Sequence, residues 1–213
     1  MADHEARALQ NEEAVGRALR RRRAALAGHN GDKAAARELL GDSDEGVRAA
    51  ALGALVRLGA LTGDDIAAAL GDPSRSVRRR ICELAASLPQ TDFGRLLRDD
   101  DPAVVEAACF AAGEQHDAGA VGVLAGIAGG HPDPLCRESA VAALGAIGEP
   151  AGLPAILAAL GDKPAIRRRA VIALAPFDGP EVDAALHGAL EDRDWQVRQA
   201  AEDLTDRASG GQG

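Results

Sequence analysis

The strongest constraint on this chain is an internal repeat. GDSDEGVRAAALGAL begins at Gly41 and GDPSRSVRRRICELA at Gly71. Further copies read RDDDPAVVEAACFAA from Arg98, GHPDPLCRESAVAAL from Gly130, GDKPAIRRRAVIAL from Gly161 and EDRDWQVRQAAEDL from Glu191. Aligned on the small apolar residue before the usual arginine, the copies fall at Val47, Val77, Val104, Cys136, Ile166 and Val197, at intervals of 30, 27, 32, 30 and 31 residues. Self-similarity at such a period marks an array of stacked supersecondary units.

The spacing inside the unit says what is stacked. Before each anchor, apolar residues step by three or four: Ile66 and Leu70, Phe93 and Leu97, Val121, Leu124 and Ile127, Leu153, Ile156, Leu157 and Leu160, Val182, Leu186 and Leu190. After it they recur as Val47, Ala51, Leu55, Leu58 and as Cys136, Ala140, Leu144, Ile147. These steps put the side chains on one helical face, and a Gly- or Asp-rich turn separates the two runs. The unit is helix–turn–helix. Each helix is near or below the length at which isolated helices are marginal in water, so stability must come from burying one face against neighbouring repeats. The core is built from Ala, Leu, Val and Ile, because Phe, Trp and Tyr together are 2% of a chain that is 46% hydrophobic. The expectation is an all-α, right-handed α-solenoid of about six helix–turn–helix repeats with an N-terminal helical cap.

GDSDEGVRAAALGAL and PLCRESAVAALGAIGEPAGLPAILAAL resemble HEAT-like repeats of the phycobilisome-lyase type. That pattern has an Asp in the turn, a Val-Arg pair opening the second helix, and an Ala-rich helix ending in Leu-Gly-x-Ile-Gly. The resemblance covers residues 33–208. It implies the superhelical fold and leaves function open, since such repeats serve as scaffolds, lyase subunits, hydroxylases and DNA glycosylases. The expected organisation is a cap over 1–32, a solenoid over 33–208 and a flexible tail over 209–213, with no linker long enough to part the chain into two domains. Within the cap, Ala6, Leu9, Val15, Leu19 and Leu26 are the candidate inward positions, and Gly28–Asp32 is a breaker.

With 33 acidic and 24 basic residues the net charge is -9, which opposes a dedicated nucleic-acid binder. A basic cluster at Arg17 and Arg20–Arg23 stands against that average. No apolar run approaches the ~18 to 20 residues that cross a bilayer, and the N-terminus lacks the apolar segment of a secretory signal. Cys82, Cys109 and Cys136 are odd in number and lack CxxC spacing, so no disulfide framework is expected. These features fit a cytoplasmic, reduced protein. Cys82 and Cys109 share a register that is Leu52, Val141 and Val171 elsewhere, which reads as packed core.

Arginine follows the anchor at Arg48, Arg78, Arg137, Arg167 and Arg198, with Val105 the exception. An acidic residue stands in the turn at Asp42, Asp72, Asp99, Asp162 and Asp192, with His131 the exception. An anion-binding ladder and a structural bridge between turns are both open, and strict repetition favours the bridge. Positions that vary between repeats are the better functional candidates. In such solenoids the second helices line the concave face, where Arg79, Arg80, Glu83, Glu106, Phe110, Glu114, Glu138, Arg168, Arg169 and Ile172 stand. Non-repeating Arg and Glu with one exposed Phe is what a specific protein-binding groove needs; a solvated charged face is the alternative.

RESAVAALGAIG also resembles deoxyhypusine hydroxylase, whose family binds di-iron through His-Glu pairs opening its second helices. Here that place holds Arg137-Glu138, and the sole His-Glu pair is His4-Glu5. His116, His131 and Asp133 could approach one another, but without a repeated pair no metal or other cofactor is expected. The functional expectation is a non-enzymatic scaffold or adaptor holding a protein partner on its concave face. The alternative, carried by the resemblance alone, is a lyase-like or maturation enzyme acting on a chromophore or protein. Sequence leaves the oligomeric state open.

Overall fold

The computed structural model describes residues 2–210, apart from the side chains of Ala2, Asp3, Glu5, Ala6, Ala8 and residues 207–210. The expected inward position Ala6, the Glu5 of the His-Glu pair and much of the expected tail over 209–213 therefore lie outside the described residues. Twelve α-helices and no strand occur among those described: α1 (Ala2–Asn30), α2 (Lys33–Glu38), α3 (Glu45–Arg57), α4 (Gly63–Leu70), α5 (Arg75–Glu83), α6 (Pro102–Glu114), α7 (Val121–Gly130), α8 (Pro134–Ile147), α9 (Leu153–Ala159), α10 (Pro164–Ala173), α11 (Pro180–Leu190) and α12 (Trp195–Gly210). Their packing divides into two units, residues 1–88 and 89–213. In the first, α3 packs on α1 and α5, with α2 and α4 flanking; in the second, α6, α8, α10 and α12 stack in order, with α7, α9 and α11 each against its own second helix. This is the stacking of an α-solenoid.

Each second helix starts where the sequence places an acidic turn. Asp44, Ser74, Asp101 and Asp133 cap the N-termini of α3, α5, α6 and α8, accepting from the amides of Val47, Ser76, Ala103 and Leu135 at 2.9–3.2 Å. Two residues earlier a second carboxylate folds the turn itself: Asp42, Asp72, Asp99 and Asp192 each accept from the amide two residues on, at 2.8–3.0 Å. Both devices satisfy backbone donors that a helix start leaves without partners.

The recurring arginine bridges turn to turn. Arg48 donates Nη1 to the carbonyl of Asp42 in its own turn at 2.9 Å, and grips Asp72 of the next through Nε and Nη2 at 2.9 and 2.8 Å. Arg137 does the same between the His131 carbonyl and Asp162, and Arg167 between the Asp162 carbonyl and Asp192. These are bidentate, charge-assisted bonds on side chains largely covered by protein. They hold the carboxyls of Asp162 and Asp192 below the usual range, and that of Asp72 against the opposing effect of its burial, and raise their arginines; Asp42 is lowered in the same way by Arg20. Of the two readings open at the sequence level, the ladder follows the structural one. Its irregular rung is informative: Val105 replaces the arginine and His131 replaces the aspartate it would meet. His131 keeps the turn-folding role alone, its Nδ1 accepting from the Asp133 amide at 3.1 Å.

Second helices approach closely through small residues. A Cβ on Gly113 would stand 3.1 Å from the Cα of Ala143, and one on Gly145 would stand 2.6 Å from the Cα of Ala173. The glycines are notches that let α6 meet α8 and α8 meet α10.

The cap departs from expectation. Leu9, Val15, Leu19 and Leu26 are exposed, at 62, 52, 60 and 44%, while Ala24, Ala27 and Gly28 are buried against the first unit. The reason lies in register. Leu19-Arg20 stands 28 residues before Val47-Arg48 and repeats that pair. Arg20 grips Asp42 through Nε and Nη2 at 2.7 and 3.2 Å, as a ladder arginine does. Gly28 abuts Ala54, the equivalent of the Gly113 and Gly145 notches. Gly31 then turns left-handed, like Gly59, His116 and Gly148, each eleven residues after its ladder position. Thus α1 repeats the second-helix register a seventh time. Leu19 and Leu26 hold the places of Val47 and Ala54, which are buried in α3, but no other element among the described residues covers them.

The third repeat departs as well. The four-residue step from Phe93 to Leu97 predicts a helix, yet the chain makes a turn and one 3-10 segment, Leu96–Arg98. Phe93, Leu96 and Leu97 remain buried. The Asp92 side chain accepts from the Gly94 amide at 2.7 Å, and Gln115 pins the preceding strand of chain, accepting from the Thr91 amide at 2.8 Å and donating to the Pro89 carbonyl at 3.1 Å. Local side-chain bonds here outcompete a helix that Pro89 and Gly94 already weaken.

Candidate partner-binding face

The ten variable positions of the second helices fall in both units. In the first, α5 carries Arg79, Arg80 and Glu83 as one local network: Glu83 receives Arg79 Nε at 3.0 Å and Arg80 Nη1 at 3.1 Å. Arg80 lies over Gly53, where a Cβ would come within 2.8 Å of its Nη2, so the guanidinium leans onto α3. With one carboxylate shared between two guanidiniums, Arg79 and Glu83 exposed and Arg80 half-buried, these three form a charged surface.

In the second unit three of the positions meet. Phe110 and Glu114 of α6 and Arg169 of α10 line a groove of about 330 Å3 floored by Gly113, Ala142, Ala143 and Ala146 of α6 and α8. The small floor residues follow from the notch packing that brings the helices together. Phe110 is half-exposed, an unfavourable placement for an aromatic ring with no surface cover. Arg169 reaches across to α8, giving Nη2 to Glu138 at 3.3 Å. Its Nε is buried and is the only such side-chain nitrogen or oxygen without a hydrogen-bond partner among the described residues. Glu106 stands one turn before Phe110 and Glu114 one turn after, so the ring sits between two carboxylates on one stripe of α6. Glu106, Arg168 and Ile172 do not line the groove.

Charge is unevenly shared. Residues 1–88 hold 14 basic and 13 acidic side chains, residues 89–213 hold 10 and 20, so the acidic excess belongs to the second unit.

The three cysteines are buried and unpaired with one another. Burial, with Asp133 and Glu106 nearby, pushes the Cys136 thiol up to about 11, and its Sγ meets the Pro102 carbonyl at 3.2 Å. A thiol so held stays protonated at neutral pH and is a packing group. No three His, Cys, Asp or Glu side chains among the described residues are placed to hold a metal ion, and no described helix is long and apolar enough to cross a membrane.

One feature escaped the sequence reading. Where the third repeat lacks its first helix, a cleft of about 580 Å3 opens, with Thr91, Asp92, Arg95, Arg98 and Asp117 among its walls. The signal was present as Pro89 and Gly94 inside an expected helix.

Residues 93–165 match the family model for HEAT repeats. The match is to HEAT repeats in general rather than to the phycobilisome-lyase type. No curated protein matches the chain. Among solved structures, the chain is similar to the YibA protein of Escherichia coli, with 17% identity over 78% of this chain and 67% of that one and a TM-score of 0.58. It is similar to a designed armadillo repeat protein in complex with the peptide (KR)4, with 16% identity, 80% and 96% coverage and a TM-score of 0.60. An engineered protein gives 20% identity, 84% and 99% coverage and a TM-score of 0.61. At these identities the likeness is one of fold, the α-solenoid.

Proposed function

We propose that this protein is a non-enzymatic scaffold that holds a protein partner on the face made by its second helices, with the Phe110 groove as its anchor. The observation that carries this reading is the pairing of a half-exposed aromatic ring with a buried, unsatisfied guanidinium nitrogen in one groove. The ring is left at a cost that a partner would remove, since an apolar side chain over Ala142 and Ala146 covers it, and a backbone or side-chain oxygen meets the solvent-facing part of the Arg169 guanidinium, whose side chain is 35% exposed. Glu106 and Glu114 on either side of Phe110 favour a partner whose apolar anchor is flanked by Lys or Arg. Within the second unit, Glu138, Arg168 and Ile172 are assigned to the outer parts of such a surface, and Arg79, Arg80 and Glu83 of the first unit to a separate charged surface.

Affinity capture tests this, comparing the native chain with Phe110→Ala and Glu114→Arg at matched helicity by circular dichroism. A partner held by the native chain and lost from both variants supports the assignment. Retention by both at native levels removes the groove from the function.

A further inference from the structure

We propose that α1 pairs with α1 of a second copy of this chain in an antiparallel two-helix coil that covers the stripe the repeat register leaves bare. Unlike the partner-binding reading, this rests on the first unit alone.

The stripe is Val15, Leu19 and Leu26, with Glu12 and Arg22 in line with them at steps of three or four. Leu19 occupies a position that every later repeat buries, and Leu26 one that is buried as Ala54, Ala111, Ala143 and Ala173 and half-buried as Leu84 and Leu204, yet they stand 60 and 44% exposed. Beside them runs a groove of about 360 Å3 between α1 and α2, lined by Leu19, Arg22, Leu26 and Ala35. Beside later second helices a first helix stands in that place, and α1 itself has helix to spare. It runs 29 residues, whereas the burial against its own unit begins only at Gly16 and beyond.

Charge and symmetry identify the occupant as another α1. By sequence, residues 2–16 carry Asp3, Glu5, Glu12 and Glu13 against the single Arg7, and residues 17–30 carry Arg17 and Arg20–Arg23. Parallel pairing stacks like on like, and antiparallel pairing sets acid against base. A two-fold axis beside residue 17 maps Val15 onto the second copy's Leu19 and Arg22 onto its Glu12. Both correspondences share that one centre. The charge match also uses what the fold leaves over. Arg17 and Arg21 meet Asp44, Arg20 meets Asp42, and Arg23 meets Glu38. Glu13 meets Arg17. Glu12 and Arg22 have no ion-pair partner among the described residues, and they are the charged pair the axis brings together.

In this arrangement the free half of each α1 lies over the bare half of the other, in the place that a first helix holds beside the later second helices. The contact is isologous and closes at two copies.

Sedimentation equilibrium across a dilution series tests it. The full chain is expected at twice its 21.8 kDa mass, and Leu19→Asp, a change at an exposed site, at the single-chain mass with helicity retained. Glu12→Arg or Arg22→Glu alone places like charges at both symmetric contacts and weakens association about tenfold or more; the double variant restores it. Cysteines at Val15 and Leu19, introduced together, cross-link two copies on oxidation. A native chain at single-chain mass throughout, a dimer indifferent to Leu19→Asp, failure of the double variant to recover, or cross-linking by Val15→Cys alone, which reports parallel pairing, each overturns the proposal.

Discussion

At the scale of single residues, the fold is governed by what the backbone and the closest packing tolerate. Gly145 shows two effects in opposition. Alanine in a helix interior gains up to ~1 kcal/mol over glycine in propensity, but a Cβ here would sit 2.6 Å from backbone of Ala173, an overlap that only separating α8 from α10 relieves. Overpacking costs ~1–3 kcal/mol, and the obstacle is backbone rather than a movable side chain, so the clash wins. Gly145→Ala is expected to lower the melting temperature, and a variant as stable as the native chain would show that the two helices can part freely. His116 is the converse. It ends α6 with φ 49°, where Gly59 and Gly148 end α3 and α8 at 56° and 72°. Left-handed backbone costs a side chain ~1–2 kcal/mol, and glycine returns part of that as unfolded-chain entropy. His116→Gly should therefore stabilise by roughly 0.5–1 kcal/mol in denaturant unfolding; a loss of stability would mean the imidazole makes a contact of greater worth.

At the scale of elements, the ladder explains which parts of the sequence were legible. The anchor-arginine pair and the acidic turn are each short, local and repeated, so their periodicity revealed both helices and the turn between them. The irregular places were harder to read, because a lost partner leaves no periodic mark. Phe93 and Leu97 kept helical spacing although side-chain bonds from Asp92 and Gln115 hold that stretch out of a helix. Leu19 and Leu26 kept core spacing although no other element among the described residues covers them. Phe110 stood out as a break in a charged pattern, but that Arg169 crosses to the same groove depends on helix packing, which spacing does not encode. The Val105 and His131 rung offers a direct measurement. Arginine at Val105 alone puts a guanidinium at a buried site with no carboxylate opposite, and aspartate at His131 alone supplies a carboxylate with no arginine. Each single change should be neutral or destabilising, and the double variant Val105→Arg/His131→Asp should recover, with a coupling of about 1–3 kcal/mol. Strict additivity in that cycle would show that the ladder's geometry does not extend through this rung. The complementary removal, Arg167→Ala, breaks a pair whose arginine side chain is only 6% exposed and should cost about 2–3 kcal/mol by leaving Asp192 without its cation.

Across the whole molecule, the rungs act together through their protons. Asp42, Asp72, Asp162 and Asp192 all lie below the ordinary carboxyl range in the folded chain, with arginine bonding among the causes in each. The folded state therefore holds on to fewer protons than the unfolded one as pH falls through the ordinary range near ~4. The stabilisation is complete above that range and drains away as pH drops through the lowered folded values, while the arginines stay charged throughout. Because a solenoid joins each repeat chiefly to its neighbours, losing rungs loosens the stack repeat by repeat, and the acid transition should be broad rather than abrupt. Thermal melting from neutral pH down through the acid range should show a steep fall in the native chain beginning near pH ~4. Asp162→Asn/Asp192→Asn should be less stable at neutral pH and should lose less on acidification, since two of the groups that take up protons on unfolding are gone. Parallel pH profiles for the two chains would place the acid sensitivity elsewhere, most directly in Asp42, Asp65 and Asp72, the other carboxyls held below the usual range. Converging profiles would make the turn-to-turn bridges the common fastening of the stack, which is what their repetition in sequence predicts.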